Sequence, residues 1–330
     1  MNPNIDVHDI EMNYGFKIDK LSPYRDGYLL ETSIGTALLR APKISQERIE
    51  FINNALTHLS KNKFSCTDQY IQSLNNKPYI TLNDIVYVCV PHRSGRDCNF
   101  ENTRDLAGAS HLLAAMHKAS QGFTSETAGP NVRSELGGLP QLFRRRLDEL
   151  KRFRKMAKRS SGKFDYAFLS VADEYCQLGE TVLFELGCSP YSTLVEKARK
   201  EGCLCHCDFT GHNILINHND SYLLNFENCT IDLPIYDIAN FLRRRMRKCN
   251  WDFTEAKYLL DNYNAIRPIS KAEMEVLRLM IQFPQKLWRI VNKYYNSKRS
   301  WCEKNCLDKL TEVIDEKDPL ELFAENMDLL

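Results

Sequence analysis

Apolar and polar positions change rhythm several times along this chain. In GYLLETSIGTALLR (27–40) they alternate around a break at Ser33–Gly35, which predicts two short strands joined by a turn. In SQERIEFINNALTHLS (45–60), Ile49, Ile52, Leu56 and Leu59 fall at helical spacing, with Ser45 as the N-cap and Arg48 three residues on. Strands return at Tyr79–Leu82 and Ile85–Val90, and Pro91 ends the second.

Beyond Pro91 the period is mostly helical. Asn102–Ala119, residues 139–159, Phe168–Leu186 and Tyr191–Lys200 predict helices, and the chain reads as helical again from Asp237 to about Met327. A β section interrupts at 203–226. The order is that of an α+β protein, a β-rich first third followed by a helical remainder. Trp288, Tyr294, Tyr295 and Trp301 sit at helical positions and are read as core packing.

Hydrophobic residues at 43% and charged residues at 26% exclude a disordered or fibrous chain. A formal charge of +1 removes any global argument for nucleic-acid binding, so none is expected. Apolar runs such as Leu112–Met116 are too short to enter a membrane, and MNPNIDVHDIEMNYGF does not read as an export signal. Residues 144–163 hold ten Lys/Arg against Asp148 and Glu149, and nine acidic residues face three lysines from Glu303 onward. Both runs read as solvated helix faces.

Twelve cysteines scattered through such a chain suggest reduced thiols, with crosslinking in an oxidising assembly as an alternative. On a strand, Cys203, Cys205 and Cys207 would share a face, and Cys302 and Cys306 stand one helical turn apart. Neither group has the knuckle spacing of a zinc site.

The chemistry concentrates in CHCDFTGHNILINHNDSYLLNFENCTIDLPIYD (205–237). His206, Asp208 and Asn213 form H-x-D-x-x-x-x-N, a hairpin follows, and Asn225-Phe226-Glu227 closes it. Phosphoryl transfer is mainly positioning and charge neutralisation. Asp208 at the head of the loop is suited to orienting an acceptor hydroxyl. Asn213 is suited to holding magnesium through its amide oxygen. Asn225 occupies the second metal position, where an anionic ligand is usual, with Glu227 two residues on as a possible substitute. His206 reads as a packed histidine that braces the loop, and His212 and His218 as solvated.

With YVCVPHRSGRDCNF (87–100), LAGASHLLAAMHKAS (106–120), NFENCTIDLPIYDIANFLR and FPQKLWRIVNKYYNSKRSW (283–301), the chain resembles the CotS family of spore coat proteins. That family lies within the aminoglycoside phosphotransferase and choline kinase-like superfamily. The resemblance implies a bilobal protein-kinase-like fold. Residues 1–90 would be a small antiparallel β lobe with one helix, and 91–330 a larger helical lobe carrying the 203–226 hairpin. It implies Asp208 as the catalytic aspartate, Asn213 as a metal ligand, Asp237 as a brace for the loop, and Val88 to Val90 as the hinge for an adenine ring. It implies ATP and magnesium as cofactors, weakly held or not at all.

The departures set the functional expectation. Arg40 stands where the resemblance implies a phosphate-binding lysine, and Lys43 comes three residues late, beyond Pro42. Asn225 replaces a metal-binding aspartate, and Cys207 stands where glycine is usual. Arginine does not reproduce a point ammonium, and a site short of one carboxylate holds magnesium less well. The expected protein is therefore kinase-like with a degenerate phosphotransfer site, acting in coat assembly or binding. Its partners would be other coat proteins, and it would be cytoplasmic on synthesis and then in the spore coat. The alternative is an active small-molecule or glycan kinase using Asp208.

Overall fold

The computed structural model describes residues 5–25, 27–129, 132–218, 220–296 and 303–330. Two compact units emerge. One comprises residues up to Ser134 together with Glu201–Ile231, and the other Glu135–Lys200 with Asp232–Leu330.

The first unit opens with α1 (Val7–Tyr14), capped by Asp6 and ended by Gly15 at φ 75°. An antiparallel five-stranded sheet follows, in the order β1-β2-β3-β5-β4. It is built from β1 (Ile18–Tyr24), β2 (Gly27–Thr32), β3 (Gly35–Arg40), β4 (Ile80–Leu82) and β5 (Ile85–Pro91). The expected turn sits between β2 and β3. Gly35 has φ 113°, and Thr32 Oγ1 donates to its carbonyl at 2.6 Å. β1 was not legible in the sequence, because Pro23 and its charged residues argue against a strand. Its edge position tolerates a missing donor.

Alternation divides the sheet. Leu30, Ala37, Leu39, Tyr87 and Cys89 form one core with Ile10, Tyr14 and Phe16. Truncating fully buried Leu39 to alanine is expected to cost roughly 2–5 kcal/mol. Leu38, Arg40, Val88 and Val90 take the opposite parity, with Arg40 paired to Val88 and Leu38 to Val90. On their side, Ile52 and Leu56 of α2 (Gln46–Lys61) join Leu38, Arg40 and Val90 around a cavity. Ser45 caps α2 as predicted, accepting from the Arg48 amide.

The hairpin of β7 (Ile214–Asn217) and β8 (Asp220–Leu223) gains a third strand, the two-residue β6 (Arg96–Asp97). Arg96 grips Asp105 in the first turn of α3 (Thr103–Ala119) through two hydrogen bonds of 2.6 and 2.8 Å. That guanidinium holds the Asp105 carboxyl below its ordinary range.

The second unit is helical. Its helices are α4 (Leu139–Ala157), α5 (Lys163–Cys188), α6 (Tyr191–Glu201), α7 (Ile235–Met246), α8 (Phe253–Asn264), α9 (Lys271–Gln282), α10 (Gln285–Asn296), α11 (Glu303–Asp315) and α12 (Lys317–Glu325). Leu147, Leu150 and Phe153 on α4 pack with Phe164, Phe168, Leu287, Val291 and Leu310. Trp288, Tyr294 and Tyr295 join this core, as expected, while Trp301 lies outside the described residues. The basic run on α4 is more than a solvated face. Lys151 pairs with Glu180 at 2.6 Å, Arg154 with Asp173, and Arg146 stacks over Trp288 at 4.3 Å. No described helix is long and apolar enough to cross a membrane.

No disulfide joins the described cysteines. Cys302 lies outside them, while Cys306, one helical turn on, is buried. Cys203, Cys205 and Cys207 do not share a strand face. The segment makes only an isolated bridge at Cys205, and Cys207 turns left-handed.

Candidate functional site

The loop from His206 to Asn213 is held by its own polar groups. His206 is wholly buried. Its Nδ1 accepts from the Asp208 amide at 3.2 Å, so Nε2 carries the proton and donates to the Leu224 carbonyl at 2.9 Å. The ring meets Phe226 edge-on. This is the bracing role read from the sequence, and it occupies both nitrogens.

Between His206 and Asp208 the chain passes through Cys207 at φ 64°. Left-handed backbone disfavours a side chain with a Cβ, which explains why glycine is usual at this place. Gly211 opens the 3-10 turn that ends at Asn213, and a Cβ there would collide with the Cys98 carbonyl.

Asp208, Asn213 and Asn225 come together. Asn213 Nδ2 donates to the Asp208 carbonyl at 2.8 Å and to its carboxylate Oδ2 at 3.0 Å. Asn225 Nδ2 donates in turn to Asn213 Oδ1 at 3.4 Å. Asn225 has φ 62° and ψ 65°, a left-handed conformation that asparagine accepts better than most residues. Its Oδ1 is buried with no hydrogen-bond partner.

Arg40, Val90, Asn213, Asn225 and Glu227 border one cavity of about 430 Å³ inside the first unit. Val88 is fully buried within the sheet and does not reach the lining, and Lys43 is exposed beyond β3. Arg40 Nε is buried with no partner. α2 presents Ile52 and Leu56 here, so that helix offers Arg40 no carboxylate. The acidic group that feels Arg40 is Asp68, whose carboxyl is pushed up by burial and drawn back by Arg93, Arg40 and His92. Arg93 meets Asp68 at 2.5 Å and lies over the Tyr222 ring at 4.1 Å.

Sequence reasoning missed Arg48. Its guanidinium donates to the Glu227 carbonyl through Nε at 3.1 Å and Nη2 at 2.8 Å, and Nη2 also reaches the Cys229 carbonyl. This ties α2 to the 3-10 turn Phe226–Asn228 that follows Asn225. The residue was visible only as the third position after Ser45. Its partners lie 179 and 181 positions away. Asp237 sits, buried, in the first turn of α7.

The sequence matches the family described as "Spore coat putative kinase YutH" over residues 7–327. The chain belongs to that family. It is 27% identical over 329 residues to "Spore coat protein S" of Bacillus subtilis (strain 168), covering 97% of this chain and 93% of that protein. A second Bacillus subtilis (strain 168) protein, "Endospore coat-associated protein YutH", is 24% identical over 196 residues, 57% of this chain and 54% of its own length.

Among solved structures, the aminoglycoside phosphotransferase from Alicyclobacillus acidocaldarius superposes with a TM-score of 0.85 at 22% identity, covering 100% of this chain and 97% of that one. Spectinomycin phosphotransferase APH(9)-Ia, solved with ADP and spectinomycin, superposes with a TM-score of 0.65 at 12% identity over 99% and 100%. Amicoumacin kinase hAmiN, solved with AMP-PNP and Ca2+, gives 0.60 at 14% over 96% and 94%. These likenesses establish the α+β kinase-like phosphotransferase fold for this spore coat family member.

A kinase fold implies a divalent metal, and the donors can be tested for it. Asn213 Oδ1 is engaged by the Asn225 amide, and Asn225 Oδ1 is buried without a partner. One oxygen of Asp208 is engaged by Asn213. Magnesium is usually held by one or two carboxylates together with substrate phosphates. Asp208 supplies one carboxylate, and Glu227, on the same cavity as Asn213 and Asn225, is the second that could serve. The two amides and the partly engaged Asp208 do not by themselves fit a magnesium ion held by the protein without phosphate.

Proposed function

We propose that this spore coat family member holds a polyphosphate ligand of the nucleotide class in the cavity of its first unit without turning it over at enzymatic rates. The observation that carries this reading is the Asn225–Asn213 hydrogen bond, an amide contact where a metal bridge would otherwise stand. The lining supports the ligand class. Arg25, Arg40, His92 and Arg93 face the cavity against Asp68 and Glu227, and Arg40 keeps a buried donor unused. Arginine forks recognise phosphate oxygens without any ion.

In this reading the β-rich stretch to about residue 90 acts as the small lobe, with Arg40 and Val90 toward the nucleotide. The spore coat relatives support a role in coat assembly, with synthesis in the cytoplasm, later residence in the coat, and other coat proteins or a coat glycan as partners.

A second reading has one observation in its favour. Asp208 is positioned by Asn213 and His206 as an acceptor-orienting carboxylate would be. It would make the chain an active small-molecule or glycan kinase, with Asn213 and Glu227 carrying the metal.

Thermal melting with ATP, with and without magnesium, combined with a nucleotide-turnover assay, separates the two. The first reading expects a shift that survives chelation and no turnover. A shift that requires magnesium, with turnover lost in Asp208→Ala, overturns it.

A further inference from the structure

Arg243 on α7 and Arg247, one turn further on, border a small cavity of about 40 Å³ within the second unit. Lys286 of α10 and the indole of Trp251 line it as well. Arg243 is only 6% exposed, and among the described residues its hydrogen-bond partners are neutral. Nη2 donates to the Met280 carbonyl, and Nη1 to Asn240 Oδ1 at 3.5 Å. Its neighbours Arg247, Arg146 and Arg289 are cations, opposed by the Tyr236 hydroxyl. Burial first, and then these neighbours, push Arg243 down to about 9.

Two carboxylates, Glu316 and Glu321, also line the cavity beside Lys317, and each already faces a cation. Glu316 meets Lys286 at 2.7 Å and lies 3.9 Å from Arg247, while Glu312 lies 3.5 Å from Lys286. Glu321 faces Lys317 at 3.9 Å. Two buried donors remain without a hydrogen bond, Arg247 Nε and Trp251 Nε1, and Trp251 is 4% exposed.

A buried guanidinium with only neutral partners carries a heavy desolvation penalty, and orphaned donors add to it. One anion answers both. A water needs about 10–15 Å³ measured in this way, so the cavity takes roughly three waters or one tetrahedral oxyanion. The guanidinium groups of Arg243 and Arg247, the ammonium groups of Lys286 and Lys317 and the indole N–H outnumber the two carboxylates of the lining, which suits the latter.

We propose that the cavity bordered by Arg243, Arg247, Lys286 and Trp251 binds a tetrahedral oxyanion of the phosphate or sulfate class, taken up as the free ion. The cavity is too small for a larger molecule to follow its phosphate inside. This site is independent of the one in the first unit.

The test is thermal melting of the full chain in inorganic phosphate against chloride at matched ionic strength. Phosphate at about ten times its half-saturating concentration is expected to raise the melting temperature by roughly 2 °C. Arg247→Met abolishes the rise. Trp251→Phe, which keeps the ring and removes the donor, weakens it several-fold and guards against an Arg247→Met chain that fails to fold. Arg40→Met leaves it intact. Equal melting in both salts overturns the proposal, as does a rise lost in Arg40→Met but kept in Arg247→Met. A response to glycerol phosphate but not to inorganic phosphate overturns the free-ion assignment. A crystal grown in phosphate that shows only waters here overturns the site.

Discussion

The side-chain amide of Asn225 donates to Asn213 Oδ1 across 3.4 Å, and Asn213 passes the contact on to Asp208. An aspartate at 225 would turn this donor into an acceptor facing an acceptor. Asn225→Asp is therefore expected to lower stability by about 1 kcal/mol without ligand. In return it should make nucleotide binding magnesium-dependent and about tenfold tighter, close to 1.4 kcal/mol. Calorimetric titration with and without magnesium, beside urea unfolding of the free protein, checks both halves. Unchanged affinity would remove the significance given to the amide.

Cys207 carries φ 64° in the loop between His206 and Asp208. Glycine relieves a left-handed strain of about 1–2 kcal/mol while adding freedom to the unfolded chain. Cys207→Gly should stabilise the protein by roughly 0.5–1 kcal/mol, read as a higher urea midpoint at constant slope. A lower midpoint would mean that the thiol contributes packing greater than the strain.

Arg48 satisfies the carbonyls of Glu227 and Cys229 from α2. Arg48→Met keeps much of the stem but strands both acceptors, so a loss of roughly 2–4 kcal/mol is expected. Hydrogen exchange should locate the loss at residues 225–229 and in the first turn of α2. Uniform loss of protection across the first unit would contradict a local clasp.

Burial, opposed by the Leu233 amide and reinforced by Asp237 and Glu135, raises the Asp232 carboxyl from its ordinary value to about 7. Between about pH 4 and 7 the folded chain then keeps a proton that the unfolded chain has released. Stability from this group falls as pH rises through that window, by at most about 1.4 kcal/mol per unit, and is flat above it. Asp232→Asn lacks the slope, so its advantage over the parent should grow between about pH 5 and 7. A constant difference across that range would show an ordinary carboxyl.

Much of this was legible because it is local. Alternation around Ser33–Gly35, the Ser45 cap and the spacing of His206, Asp208 and Asn213 each depend on neighbours within a few residues, and the structure keeps all three. What escaped depends on distance along the chain. β1 contains Pro23, which only an edge position excuses, and β6 is too short to leave a pattern. The alternating cysteines at 203, 205 and 207 imitate a strand that the left-handed turn at 207 prevents. That Arg48 would answer Glu227, or Asn225 answer Asn213, is fixed by tertiary packing. No periodicity records it.

The clasp from Arg48 reaches one step further. A helix fastened at its first turn to the backbone that follows Asn225 keeps that wall of the cavity in place. Any rearrangement there would first strand the carbonyls of Glu227 and Cys229, a toll of broken hydrogen bonds set by a residue far away in sequence.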